Sequence, residues 1–372
     1  MKVADVVRVM ESLAPLELAE DWDNVGLLVG DLSGTVTRAM VCLDVTEAVL
    51  AEAIRARAQM IVAHHPVVFR PIPRVTADEA PVVYEAVRRG VAIYSAHTNF
   101  DAAPGGTNDV LADVLHLAER RPLEPTVRQD RCKVVVFVPP DDLAKVARAA
   151  FAAGAGRIGN YHDCAFFCHG IGSFFGDFAT APSIGEAERH ELTEELRLEI
   201  ICSRPRAGTI CEAVRAAHSY EQPAIDTYVL EDRPEGCGCG RIGRLRRPVT
   251  VQTLVNRLKR ATGLKKVLLA PAAGERNGDR KGMIVTTAAC FTGSGDSGFR
   301  NAIAQGATFY VTGELTHHDA LDATAEGMTV VCLGHSHSER LAMSDLARRL
   351  SENLPKLKVA VSQRDRDPYI LS

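Results

Sequence analysis

The chain has 372 residues, enough for two or three domains at roughly 150 residues each. Hydrophobic residues make up 46% and charged residues 24%, ordinary for a soluble globular protein. The net charge of −4 argues against a general nucleic-acid binder, which carries a basic surplus. No stretch of about 18 apolar residues exists, so no membrane span is expected. The opening MKVADVVRVM lacks the apolar run of a secretory signal, and the expected location is cytoplasmic. Ten scattered cysteines fit reduced thiols better than a disulfide framework.

The first segment, Val3 to Ser12, carries its apolar residues on one face and predicts a helix. A polar loop through Trp22, Asp23 and Asn24 follows. Ala39 to Leu43 and Met60 to Ala63 are apolar runs of strand length, separated by Ala-rich helical stretches. Such alternation predicts βαβ units on a largely parallel sheet. The pattern returns late in the chain: AIRARAQMIVAHH from Ala53 resembles AIAQGATFYVTGEL from Ala302. In the same way AVRRGVAIYSAHTNFD from Ala86 resembles ATAEGMTVVCLGHSHSE from Ala323. Four expected strands therefore end in polar, titratable residues, and open α/β sheets bind ligands at the carboxyl ends of their strands.

The middle departs from this plan. A strand at Lys133 to Pro139, a helix at Asp141 to Ala153, strands at Cys164 to His169 and Gly170 to Phe178, a short helix at Ile210 to Ala217 and a strand at Ile225 to Leu230 suggest a βαββαβ, ferredoxin-like insert. The charged run Glu186 to Glu199 is expected to form a solvated helix or hairpin. Glu231 to Arg241 is the expected Gly-rich return linker. The expected divisions are a first α/β lobe at 1–125, the insert at 126–235 and a second lobe at 236–372.

His64 and His65 directly follow a predicted strand, and Pro66 turns the chain there. His97 with Asp101, and His335 or His337 with Glu339, come after two further strands. A His and an acid four residues apart share one helical face, and imidazole with carboxylate suits zinc, iron or manganese. A carboxylate can also bridge two ions. Each pair alone is as well explained by helix capping or a surface hydrogen bond; three clusters after three strands favour one metal cleft. His97, Glu314, His317 and His318 are candidates for orienting ligands or moving protons, with His97 and His318 preferred as catalytic groups. The turn Gly293-Ser294-Gly295 offers backbone amides to an anion. Cys237 and Cys239 lack the partner spacing of a zinc knuckle.

DWDNVGLLVG (from Asp21), AHHPVVF (from Ala63), AHTNFDAAPGGTND (from Ala96), GSGDSGF (from Gly293), TGELTHHDALDA (from Thr312) and GHSHSE (from Gly334) occur in this order. On these motifs the chain resembles the GTP cyclohydrolase I type 2 homologues, or NGG-interacting-factor-three-like proteins. GNYHDCAFFCHGIGSFFG (from Gly159) and HSYEQPAIDTYVL (from His218) resemble the PII-like insert of that family's long members. The resemblance implies a two-lobed α/β body with a metal cleft between the lobes. It implies two divalent ions held by His64, His65, Asp101, His335 and Glu339, with Glu339 bridging and His335 preferred to His337. Phe100 stands where the family usually has Leu. A homohexamer and a metal-dependent hydrolase acting on a small molecule or nucleotide are likewise implied. A non-enzymatic metal-binding regulator is the alternative, with a nucleic-acid-binding factor third.

Overall fold

The computed structural model describes residues 1–273, 283–295 and 297–369. Contacts group the chain into two compact units, 1–126 with 235–372, and 127–234.

The larger unit begins with α1 (Val3–Leu13), β1 (Gly26–Val29), β2 (Arg38–Cys42), α2 (Glu47–Arg55) and β3 (Met60–Ala63). Next come α3 (Pro81–Arg89), β4 (Ala92–Ser95), α4 (Thr98–Ala102), α5 (Thr107–Leu115) and β5 (Leu117–Pro125). The smaller unit contributes β6 (Arg128–Val138), α6 (Leu143–Ala152), β7 (Ala165–Phe175), β8 (His190–Ser203), α7 (Ala207–Ala217) and β9 (Ile225–Asp232). The larger unit resumes with β10 (Gly238–Thr250), α8 (Val251–Thr262), β11 (Leu268–Ala270), β12 (Ile284–Ser294), α9 (Gly298–Ala304) and β13 (Phe309–Glu314). It ends with α10 (His317–Ala325), β14 (Thr329–Cys332), α11 (His335–Asn353) and β15 (Lys358–Val361). Among the described residues no helix is long and apolar enough to cross a membrane.

The larger unit is α/β, built on two sheets. The first runs β1-β4-β3-β2-β15, parallel except for β1. The second runs β11-β14-β13-β12-β10-β5, parallel through its centre and antiparallel at its edges. Chain order and sheet membership cross: β15 closes the first sheet and β5 lies at the edge of the second. Strands β3 and β4 are buried on both faces, as a parallel sheet covered by helices requires. Helices α2 and α3 cover one face of the first sheet. Helix α11 packs Ala342, Met343, Leu346 and Leu350 against its other face and also contacts β12 and β13 of the second sheet. Full burial of a Leu such as Leu346 contributes about 1.5–3 kcal/mol, so this shared helix is a main tie between the sheets.

A buried cation fixes the turn between α4 and α5. Arg241 on β10 is 2% exposed; it donates to the Asp109 carboxylate and to the carbonyls of Ala103, Gly238 and Gly240. Gly106 in that turn has no room for a side chain, since a Cβ would overlap the Phe100 carbonyl.

The smaller unit has the order β-α-β-β-α-β in one antiparallel sheet, β7-β8-β6-β9. Three details differ from expectation. The two short strands expected at 164–178 are one strand, β7, because Gly170 and Gly172 continue the ladder instead of turning it. The charged run at Glu186 to Glu199 supplies β8 from His190 onward, with Leu196, Leu198 and Ile200 in the core and charged residues between them. Its alternation has the period of two that marks a half-buried strand. The expected linker is shorter than drawn, since β10 already begins at Gly238.

Candidate metal centre

Three segments meet within the larger unit. His64 and His65 follow β3 and continue its pairing with β2, their amides donating to Cys42 and Leu43 carbonyls. His97 precedes α4 and Asp101 lies within it. His335 begins α11 after Gly334, whose φ of +89° makes the turn out of β14, and Glu339 stands one helical turn further on.

Glu339, 3% exposed, is the meeting point. Its carboxylate lies 4.0 Å from His64 Nε2, 3.2 Å from His65 Nε2 and 3.3 Å from His335 Nε2. Asp101 Oδ1 lies 3.6 Å from His64 Nε2. The ligand atoms of His64, His65 and His97 fall within 4.8 Å of one another, as do those of His65, His335 and Glu339. The two groups share His65.

Every one of the four imidazoles is tethered through Nδ1. His64 Nδ1 meets the Ala96 carbonyl at 2.8 Å, and His65 Nδ1 meets Asp44 at 2.8 Å. His97 Nδ1 meets Asp23 at 2.8 Å, and His335 Nδ1 meets Glu314 at 2.9 Å. A carbonyl or carboxylate can accept the Nδ1 proton, which in the neutral ring leaves a lone pair on Nε2.

The donor set fits a cation. His64 Nε2 is a buried atom with no hydrogen-bond partner, a costly arrangement unless something positive binds it. Burial and three neighbouring imidazoles hold the His64 pKa well below its ordinary value, so that ring is neutral. Burial and the charge of Glu339 push Asp101 up to about 7, although Thr107 donates to it. Burial opposes a charge on His65, but Asp44 and Glu339 outweigh it and push its pKa up to about 10. A divalent ion on Nε2 would take the place of that proton and relieve the repulsion between the two carboxylates.

The pocket is shaped around these atoms. Gly293 has a φ of +66°, and a Cβ there would stand 2.5 Å from Glu339 Oε1. The amide of Gly293 donates to Ser338 Oγ and that of Gly295 faces the Glu314 carbonyl, so neither is open to an anion. His337 turns away, its Nδ1 2.8 Å from Asp367. Glu314 meets only the Nδ1 side of His335, away from the Nε2 that faces Glu339. His317 and His318 are exposed in the first turn of α10, their rings 5.5 Å apart, and neither belongs to the two groups of ligand atoms.

Asp23, Asp44, Thr107 and Thr292 were not singled out by sequence reasoning. The Thr107 and Thr292 hydroxyls lie 2.8 Å apart beside Asp101. Asp44 follows β2 just as His64 follows β3, so its strand-end position was a usable signal. Nothing local marks the threonines.

The family model described as Duf34/NIF3 (NGG1p interacting factor 3) matches residues 1–368. The chain is 36% identical over 379 residues to a GTP cyclohydrolase 1 type 2 homolog of Listeria innocua, covering 99% of each. It is 34% identical over 370 residues to the protein of the same name from Bacillus subtilis, covering 98% of this chain and 97% of that one. The solved structure of a Bacillus cereus protein related to NIF3 aligns at 33% identity and a TM-score of 0.67, covering 100% of this chain and 99% of that one.

Proposed function

The chain belongs to the Duf34/NIF3 family, and from that premise we propose that it holds two divalent metal ions and uses them to hydrolyse a small molecule or nucleotide. His64, His65, Asp101, His335 and Glu339 would hold them. The observation that carries this reading is the set of Nδ1 tethers, which turns the Nε2 atoms of His64, His65 and His335 toward one buried carboxylate. Mixed imidazole and carboxylate donors suit zinc, iron or manganese. When bound, a pair of such ions supplies a water of lowered pKa and a Lewis acid for a substrate oxygen.

The chain's own residues do the rest. Asp44, Glu314 and the Ala96 carbonyl hold three rings in their ligating tautomer. His97 is the proton carrier: its Nδ1 is held by buried Asp23, and its ring stands 5.2 and 5.4 Å from those of His64 and His65. That supports a role for Nε2 in accepting a proton or returning it to a leaving group. His318 is a second proton-carrying candidate.

We further propose that the smaller unit is a PII-like insert and that the chain assembles as a homohexamer. The family resemblance supports both. The exposed β7, with Phe166, Phe167, Ile171 and Phe175 open to solvent, supports an assembly that covers it. A mass by light scattering near six chains supports the hexamer, and a monomer ends it.

Elemental analysis should give about two metals per chain. Metal-restored protein screened on phosphoesters, nucleotides and cyclic amides should turn one over, and His64→Ala should abolish that activity. Two metals with no metal-dependent turnover would favour a non-enzymatic metal-binding regulator.

A further inference from the structure

Two large aromatic residues beside the imidazoles are open to solvent, whereas Phe100, 6.4 Å from the His64 ring, is buried. Trp22 is 60% exposed and Phe69 is 48% exposed. Their ring centroids are 6.0 Å apart with planes at 64°, so the two rings form a corner. The indole also stands edge-on to His97, 6.1 Å away at 75°. His97 in turn lies 5.4 Å from His65. The corner is thus joined to the ligand rings through His97.

The corner is held in place. Asp23, next to Trp22, accepts from His97 Nδ1, from the Thr98 amide at 3.0 Å and from the Thr98 hydroxyl at 2.5 Å. The Glu20 amide donates to the same hydroxyl at 3.0 Å. Asn24 Nδ2 donates to the Val68 carbonyl at 2.5 Å, tying the loop of Trp22 to that of Phe69. Val67 and Val68 pack on the core beneath. Two large apolar rings, uncovered beside a polar site and carried on loops tied to one another, offer a contact for a ligand.

We propose that Trp22 and Phe69 are the platform for a planar heteroaromatic ring of the substrate, seated so that the ring's substituents reach the imidazoles. This rests on the metal-site reading above and names the substrate class. A corner of two rings offers a flat ligand one face to stack on and one edge to meet, the two arrangements aromatic pairs favour. The platform is too small for a protein: two aromatic side chains bury about 150–250 Å2 each, against about 800 Å2 per partner in a stable interface. Base stacking on aromatic side chains also tolerates variation in the ring, so the platform selects a class of ligand and leaves the chemistry to the metal site.

Trp22 is the single tryptophan of the chain, so its fluorescence reports on the corner directly. Metal-loaded protein is titrated with guanosine 5′-monophosphate and, separately, with ribose 5-phosphate, which has the same sugar phosphate and no ring. The expected result is saturable quenching by the nucleotide and none by ribose 5-phosphate. Phe69→Ala, followed by fluorescence, and Trp22→Ala, followed by equilibrium dialysis, should each weaken nucleotide binding about fivefold or more, with metal content unchanged. Equal quenching by both compounds, no saturable quenching, or unaltered affinity in both variants overturns the platform. Metal content on the same samples separates the two readings: about two ions per chain without nucleotide binding sinks the platform alone. Protein that takes up no metal sinks the site reading and this inference with it.

Discussion

The two halves of the metal centre are built differently. The half from the first sheet is rigid and covered: His64 is fully buried, its Nδ1 fixed by a main-chain carbonyl. The half from the second sheet is open: the side chain of His335 is 42% exposed and its orienting partner Glu314 is 59% exposed. A main-chain tether inside a sheet moves only if the sheet moves, whereas a carboxylate on a surface side chain is screened and free to swing. One ion position should thus be permanent and the other exchangeable. Glu339 belongs to both halves, and its removal is the most severe test of the contrast. Glu339→Ala should reduce bound metal from about two per chain to well below one. Retention of both ions would remove Glu339 from the ligand set and dissolve the comparison.

Single ligands should then separate the halves. His64→Ala should empty the covered position and leave a void facing the Ala96 carbonyl, lowering metal content and melting temperature together. His335→Ala should remove one ion, with little change in melting temperature of the metal-free protein, because its side chain is already largely solvated. Calorimetry of the metal-free variants beside elemental analysis measures both. Equal effects at the two positions would mean that the exposure difference has no energetic counterpart.

The orienting carboxylates sharpen the same contrast at a smaller scale. Loss of such a partner costs about 10- to 100-fold in metal affinity. Asp44→Ala should fall toward the upper end of that range, since the Asp44 side chain is 39% exposed and sits 2.8 Å from His65, the ring common to both groups. Glu314→Ala should fall toward the lower end, as an exposed partner of an exposed ring. Competition with a chelator of known affinity ranks the two. The reverse order would place the tighter position on the second sheet.

The sequence disclosed this site to the extent that its parts announce themselves locally. Histidines at strand ends are visible because a buried apolar run such as MIVA stops abruptly at His64. What joins the halves is not local. Glu339 reaches His65 only because α11 lies between the sheets, with β15 beyond it crossing back to pair with β2. No periodicity encodes that crossing; it follows from which faces of α11 are apolar and which strands they cover. Gly293 belongs to the same class of hidden feature. As a residue in a Gly-rich turn it suggested an anion cradle, whereas it is glycine because Glu339 occupies the space of its Cβ. In the smaller unit the error ran the other way. Charge density in Glu186 to Glu199 masks the alternation of Leu196, Leu198 and Ile200, so the segment reads as a solvated helix or hairpin, whereas it forms a half-buried strand paired with β7.

The smallest expected effect concerns the proton carriers. His97 and His318 are alike in sequence, each just past a strand, yet their surroundings differ. His97 is held by a fully buried carboxylate and stands among the ligand rings. His318 is exposed, and its ring neighbour is His317, itself exposed. A positioned acid or base contributes about 10²- to 10⁴-fold, and a group without fixed geometry contributes little of that. His97→Ala should therefore lose at least about 100-fold in kcat while keeping both ions. His318→Ala should change kcat by no more than about threefold, which is under about 1 kcal/mol. Its metal content should match that of the unmodified chain. A tenfold or larger fall in kcat for His318→Ala, with metals retained, would bring the first turn of α10 into the reacting site and make the open half of the centre the one that moves protons.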